Sequence, residues 1–206
     1  MIRHGQTDFS RENRFCGAID PPLNDVGVRM AESFGAAYAD RTWNAIYVSP
    51  LQRARRTAAA LATRINLEPI VDDGLREISY GEWEGLRHEE AKQRYPEAYA
   101  YWASDTASRS VPGGETAFQV AARAALVLER VKREHADGRV LLVSHKATIR
   151  IMVCALLGLD VRLFRDRIAQ GVAAVTRFEI SKKGALLTRL GDDEHLPADL
   201  RNIEGT

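Results

Sequence analysis

Two stretches of the chain have the pattern of a buried strand that runs directly into a helix. In the first, NAIYVSPLQRARRTAAALATRI, the short run Ala45–Val48 favours a strand because it is apolar and includes β-branched and aromatic side chains. Ser49 followed by Pro50 is typical of a helix start, since the hydroxyl can cap a helix and proline fits its first position. The Ala-rich segment that follows predicts helix to about Ile65.

The second stretch, RVLLVSHKATIRIMVCALLGL, repeats this order later in the chain. Val140–Val143 is fully apolar, as expected of a strand buried on both faces. The helix after it is predicted to begin near Ala147 and to end at Gly158. Strands that alternate with helices form a mostly parallel sheet with helices on both sides. The two stretches therefore predict an α/β fold.

Further segments extend this pattern. Apolar residues at three- and four-residue spacing predict amphipathic helices over Asn24–Asp40 and Glu115–Glu134, and Ile70–Val71 is a candidate short strand. Two β-prone runs near the end of the chain predict a hairpin, Ala173–Ile180 and Ala185–Leu190. The predicted architecture is a three-layer α/β/α sandwich with a mostly parallel central sheet and a C-terminal hairpin.

Composition narrows the class of protein. Hydrophobic residues make up 45% and charged residues 28% of the 206, which is ordinary for a globular protein, and we expect residues 1–206 to form a single domain. The net charge of +1 gives no indication of a nucleic-acid or membrane partner, and the apolar runs are too short to span a bilayer. Two cysteines, Cys16 and Cys154, indicate neither a disulfide framework nor a metal site. No secretory signal is visible, and a cytoplasmic location is expected.

Four side chains fall where such a sheet binds its ligands, beyond the carboxyl ends of its strands. Arg3 and His4 follow the first strand, Arg53 lies in the first turn after the second, and His145 follows Val140–Val143. Each residue alone could be a structural or surface side chain. Their shared position at strand-to-helix junctions indicates a site. Only about three residues precede His4, so either the first strand is short or the natural chain begins upstream.

The chemistry of these residue types points to phosphoryl transfer. Arginine forks bind phosphate oxygens through paired, charge-assisted hydrogen bonds, and a neutral histidine can act as a covalent nucleophile. Together they can transfer a phosphoryl group through a phosphohistidine without a metal ion, because arginines neutralise the developing charge. A general acid must protonate the leaving oxygen, and the candidate is Glu77 in LREISYGEWEG.

Five motifs occur in a fixed order: RHGQT, SPLQRARRTA, LREISYGEWEG, PGGET and VSHKATIR. In this order they resemble the histidine phosphatase superfamily, in its phosphoglycerate mutase-like branch. The resemblance implies that His4 is the phosphorylated nucleophile and that Arg3 flanks it. It further implies that Arg53 and His145 complete the phosphate pocket and that Glu77 donates the proton. No cofactor is implied.

A wider set of residues is also expected to bind the substrate, namely Gly5, Ser10, Cys16, Gly17, Tyr80, Glu115 and Lys146. Cys16 is either a contact residue or a small structural thiol. Ser10 stands where the family often has asparagine, which shortens or removes a phosphate contact. Lys146 stands where glycine is usual, and it is either an exposed lysine or a cation that attracts a second anionic group of the substrate.

The function expected from these features is the hydrolysis of small phosphomonoesters. One alternative is a phosphoglycerate mutase, but mutases of this family keep an arginine where this chain has Ile78, and the segment from Trp83 to Ser110 is short for a mutase cover. Another alternative is a non-catalytic binding relative, which typically loses a pocket residue. The physiological substrate, whether phosphoserine, a phosphosugar or a bisphosphate, is not encoded in a readable motif.

Two further expectations concern the surface of the protein. The segment from Trp83 to Thr116 is expected to cover the site, and its aromatic residues, Tyr99 and Trp102 among them, either face the substrate or pack the cover onto the body. The terminal hairpin leaves an edge strand that a homodimer could use.

Overall fold

The computed structural model describes residues 1–201 and 203, and within them the strands form one mixed sheet. The strand order is β3-β2-β4-β1-β5-β6. Strands β1 to β4 pair in parallel, whereas β5 runs antiparallel to β1 and pairs with β6 as a hairpin. The strands are β1 Ile2–Arg3, β2 Ala45–Val48, β3 Ile70–Val71, β4 Val140–Ser144, β5 Val175–Ser181 and β6 Gly184–Asp192.

Helices connect the parallel strands and flank the sheet. The long helices fall where the apolar periodicity predicts them, and shorter ones lie directly after β1 and between β3 and the hairpin. The helices are α1 Asp8–Arg11, α2 Asp25–Tyr38, α3 Gln52–Ile65, α4 His88–Arg94, α5 Pro96–Ser104, α6 Ala117–Glu134, α7 Lys146–Leu157 and α8 Phe164–Arg167. Single 3₁₀ turns occur at Asp73–Leu75, Gly81–Trp83, Val161–Leu163 and Ala198–Leu200.

The alternation of side chains along the strands produces the three layers. In β2, Ile46 and Val48 pack with α2 and α3 on one face of the sheet. The intervening residues Ala45 and Tyr47 pack with α6 and α7 on the other face. Both faces are therefore apolar and covered, as the continuous hydrophobic strand sequences require. The predicted α/β/α sandwich, with its mostly parallel sheet and C-terminal hairpin, is confirmed.

Strand register brings three strand ends to one edge of the sheet. Val143 of β4 pairs with Ile2 of β1 on one side and with Val48 of β2 on the other. Because the three strands are parallel and in this register, the residues that follow them emerge side by side. His4, Ser49 and His145 are thus neighbours although they are far apart in sequence.

The start of α3 differs from the prediction. The helix begins at Gln52 rather than after Ser49, its N-cap is Leu51, and no side chain caps it. The Ser49 hydroxyl instead lies 2.7 Å from Nε2 of His145, so its hydrogen-bonding capacity is used across the sheet edge. The predicted capping role of Ser49 and the helical position of Pro50 were wrong for this reason.

An aromatic cluster holds the covering segment in place. Trp83 is fully buried, stacks on Tyr99 at 5.5 Å between ring centroids, and meets Trp102 edge-on at 5.4 Å. Phe15 packs against the same cluster from the loop after α1. Of the two roles considered for these aromatic residues, packing the cover onto the body is the one observed.

Three further expectations concern membrane spans, a homodimer and the number of domains. Among the helices of residues 1–201, none is both long and apolar enough to cross a bilayer. Within the same residues β6 and β3 form the two edges of the sheet. A homodimer through the hairpin stays a prediction. So does the single domain over residues 1–206, of which residues 202 and 204–206 lie outside the described residues.

Candidate active site

A cavity of about 460 Å³ lies at the edge of the sheet where the parallel strands end. Its wall includes Arg3, His4 and Arg53 from the strand ends, Glu77 from the loop after β3, and Lys146 from the start of α7. The topology therefore brings together most of the side chains that the sequence motifs single out. This is the position at which open parallel sheets bind ligands.

His4 is held in a single tautomer on the cavity wall. Its Nδ1 lies 2.7 Å from the carbonyl oxygen of Gly5, and since that oxygen can only accept, Nδ1 carries the hydrogen. Nε2 therefore carries the lone pair. Burial, followed by the positive charges of Arg53 and Arg3, lowers the pKa of His4 well below its usual value. The imidazole is consequently neutral at physiological pH, which is the state in which it is nucleophilic.

Gly5 contributes backbone shape to this arrangement. A Cβ at this position would lie 2.4 Å from the carbonyl oxygen of Gly27, so a larger residue would push α2 away from the strand end. The Gly5 N–H donates to Oγ1 of Thr57 at 3.1 Å, which ties the turn after His4 to α3. Gly5 is not part of the cavity wall. It positions His4 by allowing close packing.

Arg53 and His145 form a buried pair beneath the cavity. Nε of Arg53 donates to Nδ1 of His145 at 3.3 Å, which requires the hydrogen of His145 to be on Nε2, where it donates to Ser49 Oγ at 2.7 Å. Burial, followed by the charge of Arg53, lowers the pKa of His145 well below its usual value. The His145 ring lies 5.1 Å from the His4 ring, between centroids. Arg53 and His145 are both fully buried. Arg53 reaches the cavity wall, whereas His145 does not.

The remaining nitrogens of Arg53 organise the loop after α1. Nη2 donates to the carbonyl oxygen of Gly17 at 3.0 Å, and Nη1 donates to Ile19 O at 2.8 Å and to Asp20 Oδ1 at 3.3 Å. Gly17 has a φ of +51°, and a Cβ there would overlap the carboxylate of Glu84. The loop is therefore wrapped around the guanidinium, and glycine is required at position 17.

Glu77 lies at the N-terminus of α7. Its Oε1 accepts from the N–H groups of Ile78 and Thr148 at 3.0 and 3.1 Å and from Oγ1 of Thr148 at 3.2 Å. Its Oε2 accepts from the Ala147 N–H at 3.2 Å. The carboxylate thus satisfies helix donors that His145, the N-cap residue, leaves without a side-chain partner. These bonds fix the direction in which Glu77 faces the cavity.

A family model described as the histidine phosphatase superfamily, branch 1, matches residues 1–193. The chain belongs to this superfamily. Phosphoserine phosphatase 1 of Hydrogenobacter thermophilus is 34% identical to it over 164 residues, which are 80% of this chain and 78% of that protein. A bifunctional protein of Mycobacterium tuberculosis is 38% identical over 92% of this chain, which spans about half (52%) of that protein.

Solved structures agree with the family assignment. The native structure of a mycobacterial glucosyl-3-phosphoglycerate phosphatase aligns with a TM-score of 0.83 at 30% identity, over 93% of this chain and 96% of that chain. The family resemblance inferred from the five ordered motifs is therefore confirmed. The roles of individual residues in this histidine phosphatase follow from where the structure places them.

Several of the predicted binding residues lie on the cavity wall. Arg3 is buried there, and its Nη1 donates to Gln170 O at 3.1 Å. Ser10 lines the cavity while its hydroxyl donates to Thr7 O at 2.9 Å. The Cys16 thiol donates to Ile19 O at 3.4 Å, and burial raises the pKa of Cys16 to about 11, so the thiol is protonated at neutral pH. Tyr80 completes this group, and burial raises the pKa of its phenol.

Glu115 is not brought into the cavity. Its carboxylate forms an ion pair with Nε of Arg123 at 3.0 Å and accepts from the Ser79 N–H at 3.0 Å. These contacts clamp the PGGET loop against the segment that carries Glu77. Its charge is matched by Arg123, and it holds the loop in position. The structure places Glu115 outside the cavity wall, and its contact with the substrate stays a prediction.

Several cavity residues were not predicted from the sequence. Arg150 and Arg165 line the cavity beyond Lys146, as does His88 from α4. Arg150 could have been found, because it lies four residues after Lys146 on a predicted helix and therefore on the same face. No local pattern indicates Arg165 or His88, since neither lies at a strand end or in one of the five motifs. Among the described residues no group of three His, Cys, Asp or Glu side chains could hold a metal ion.

Proposed function

We propose that the protein hydrolyses small phosphomonoesters in two steps through a phosphohistidine on His4. The family and the phosphatases among its relatives support the predicted class of enzyme, a phosphoric monoester hydrolase. The observation that carries the mechanism is the state of His4. A neutral imidazole, with its hydrogen fixed on Nδ1 by Gly5, lines a cavity that is rich in arginine.

In the first step, Nε2 of His4 uses its lone pair to form a bond to phosphorus, and the bond between phosphorus and the ester oxygen breaks. Two groups stabilise the negative charge on the phosphoryl oxygens. One is Arg3, and the other is the N–H of Arg53 that is not used by the protein contacts described above. Glu77 donates its proton to the departing oxygen, which leaves as an alcohol. The phosphoryl group remains on His4.

In the second step, Glu77, now a carboxylate, accepts a proton from a water molecule as that water attacks phosphorus. The bond between phosphorus and Nε2 breaks, and its electron pair returns to the His4 ring. Inorganic phosphate is released and Glu77 is again protonated, so both groups are restored. In this mechanism His145 acts through Arg53 and serves as a positioning residue. Its Nδ1 accepts the hydrogen bond that Nε of Arg53 donates.

The mechanism is tested by trapping the intermediate. Rapid quenching during turnover of a ³²P-labelled phosphomonoester should give protein-bound phosphate that is stable to base and labile to acid. The His4→Ala variant should give no label and no turnover, and a chelator should leave wild-type activity unchanged. Label retained in the variant, or activity abolished by the chelator and restored by a metal ion, would exclude this mechanism.

The structure also bears on the mutase alternative. Ile78, at the position where mutases of the family keep an arginine, is buried in the hydrophobic core beside α7 and is not part of the cavity wall. The cavity therefore lacks a cation from this position, which favours hydrolysis. Incubation with 3-phosphoglycerate should release phosphate faster than it forms 2-phosphoglycerate, and the opposite ratio would favour the mutase.

We also propose that the protein acts in the cytoplasm. Cys16 and Cys154 are both free thiols in the structure, which suits a reducing compartment. Cell fractionation of the natural source should place the protein with soluble cytoplasmic markers. Recovery from an extracellular or periplasmic fraction would contradict this.

A further inference from the structure

Three half-buried cations line the cavity in addition to the buried Arg3 and Arg53. Lys146 and Arg150 come from α7, and Arg165 comes from α8. Arg165 is fixed over the ring of Trp102, with its guanidinium carbon 4.6 Å from the ring centroid. This contact connects the third cation to the rigid aromatic cluster of the cover.

No acidic side chain of the described residues lies in direct contact with these cations. Among the described residues, none of the three forms an ion pair or a hydrogen bond with an acidic side chain. Nε of Arg150 is buried and has no hydrogen-bond partner among the described residues. Most arginines that face other regions of this protein have an acidic partner, as Arg123 does with Glu115. The cavity thus holds three cations that have no direct acidic partner.

This arrangement costs stability unless something anionic occupies it. Lys146 and Arg150 are like charges four residues apart on one helix, at the helix end where positive charge is unfavourable. Their charges also act on one another, since burial first and then Arg3 and Arg150 lower the pKa of Lys146 to about 7. A buried donor without a partner adds a further penalty. Cations arranged in this way inside a concave site are suited to bind an oxyanion.

We propose that Lys146, Arg150 and Arg165 bind a second anionic group of the substrate. The preferred substrates are therefore phosphomonoesters that carry a carboxylate or a second phosphate in addition to the phosphate that reacts. This inference rests on the proposed phosphatase function and specifies its substrate class. The planar guanidinium groups can each bind two oxygens of such a group, and the lysine adds charge on a flexible stem.

The test compares substrates that differ only in the second anion. Phenyl phosphate is compared with 4-carboxyphenyl phosphate, and propyl phosphate with 1,3-propanediol bisphosphate. The wild-type kcat/KM should be at least about tenfold higher for the doubly anionic member of at least one pair, which corresponds to about 1.4 kcal/mol from the contacts with the second anion. The pair that shows the preference identifies whether carboxylate or phosphate is recognised.

Arg150→Met and Arg165→Met should each lose about tenfold more kcat/KM on the doubly anionic substrate than on its partner. Arg167→Met is the matched control, because Arg167 belongs to the same short helix as Arg165 but is exposed and outside the cavity wall. It should leave both substrates unchanged. Equal losses on both substrates, or no loss on either, would overturn the proposal.

The outcomes separate this inference from the proposed function. If wild-type protein hydrolyses both members of each pair equally and forms phosphohistidine on His4, the second-anion site is wrong while the phosphatase function stands. If no phosphomonoester is hydrolysed, the proposed function fails. Circular dichroism spectra of the variants establish that a loss of preference is not a loss of folding.

Discussion

Replacing Glu77 by glutamine separates the chemical role of this residue from its structural role. Glutamine keeps one carbonyl oxygen, which can still accept from Thr148 and Ile78. Its amide group then faces the Ala147 N–H, so the bond at 3.2 Å is lost and two donors oppose each other. Loss of that bond in a half-buried site should cost about 1–3 kcal/mol of folding stability. The variant should remain folded, with a lower thermal midpoint.

The effect on catalysis should depend on the leaving group. For an alkyl phosphate, whose alkoxide must be protonated as it leaves, removal of the acid should lower kcat by about 10²-fold or more, equivalent to about 2.7 kcal/mol in the barrier. For 4-nitrophenyl phosphate the loss in the first step should be much smaller, because nitrophenolate leaves readily without a proton. Glu77 lines the cavity together with His4, which is where the leaving oxygen would need a proton.

The assay is single-turnover kinetics on both substrates, which isolates the first step from hydrolysis of the phosphohistidine. Glu115→Gln is the matched control, since Glu115 is a half-buried glutamate of a neighbouring loop that pairs with Arg123 outside the cavity. It should lower stability but leave the ratio of the two rates unchanged. Equal losses on both substrates for Glu77→Gln would refute the acid role and leave Glu77 as a helix cap.

Contacts around the site determine how three further changes should affect the protein. Ser49→Ala should leave Nε2 of His145 buried without a partner. The free energy of unfolding should fall by about 1–3 kcal/mol, and kcat should decrease. An unchanged urea midpoint would show that the 2.7 Å bond is unimportant. Gly5→Ala should lower the free energy of unfolding by about 1–3 kcal/mol, because the added methyl group would overpack against Gly27. Gly171→Ala should be tolerated, because the nearest atom to its added methyl group would be 3.8 Å away. Equal midpoints of the two variants in thermal unfolding would contradict this. Burial, together with Arg3 and Arg150, lowers the pKa of Lys146 to about 7, whereas the value in the unfolded chain is 10.5. Between these two pH values the unfolded chain binds more protons than the folded protein. The free energy of unfolding should therefore rise with pH in this range. Urea titrations from pH 6.5 to 9.5 should show this rise in the wild type relative to Lys146→Met, and parallel curves would refute it.

Local sequence patterns were sufficient to predict the fold and the centre of the site. The apolar strands before helix starts predicted β2 and β4 and the helices after them, because burial on both faces and helix periodicity are properties of short segments. His4, Arg3, Arg53 and Glu77 could be selected because they follow strand ends or lie in recognisable motifs. The structure then places all four on one cavity wall.

Contacts between distant segments were decided by the tertiary structure alone. Ser49 has the local pattern of a helix cap, yet strand register places its hydroxyl beside His145, 96 residues away. Glu77 caps a helix that begins about 70 residues later, and no pattern around either segment indicates it. Arg165 faces the cavity because α8 packs against α7 and because Trp102 fixes its guanidinium. A hydrogen bond or charge pair of this kind depends on the register and packing of elements, and these are properties of the assembled core rather than of any short segment of the sequence.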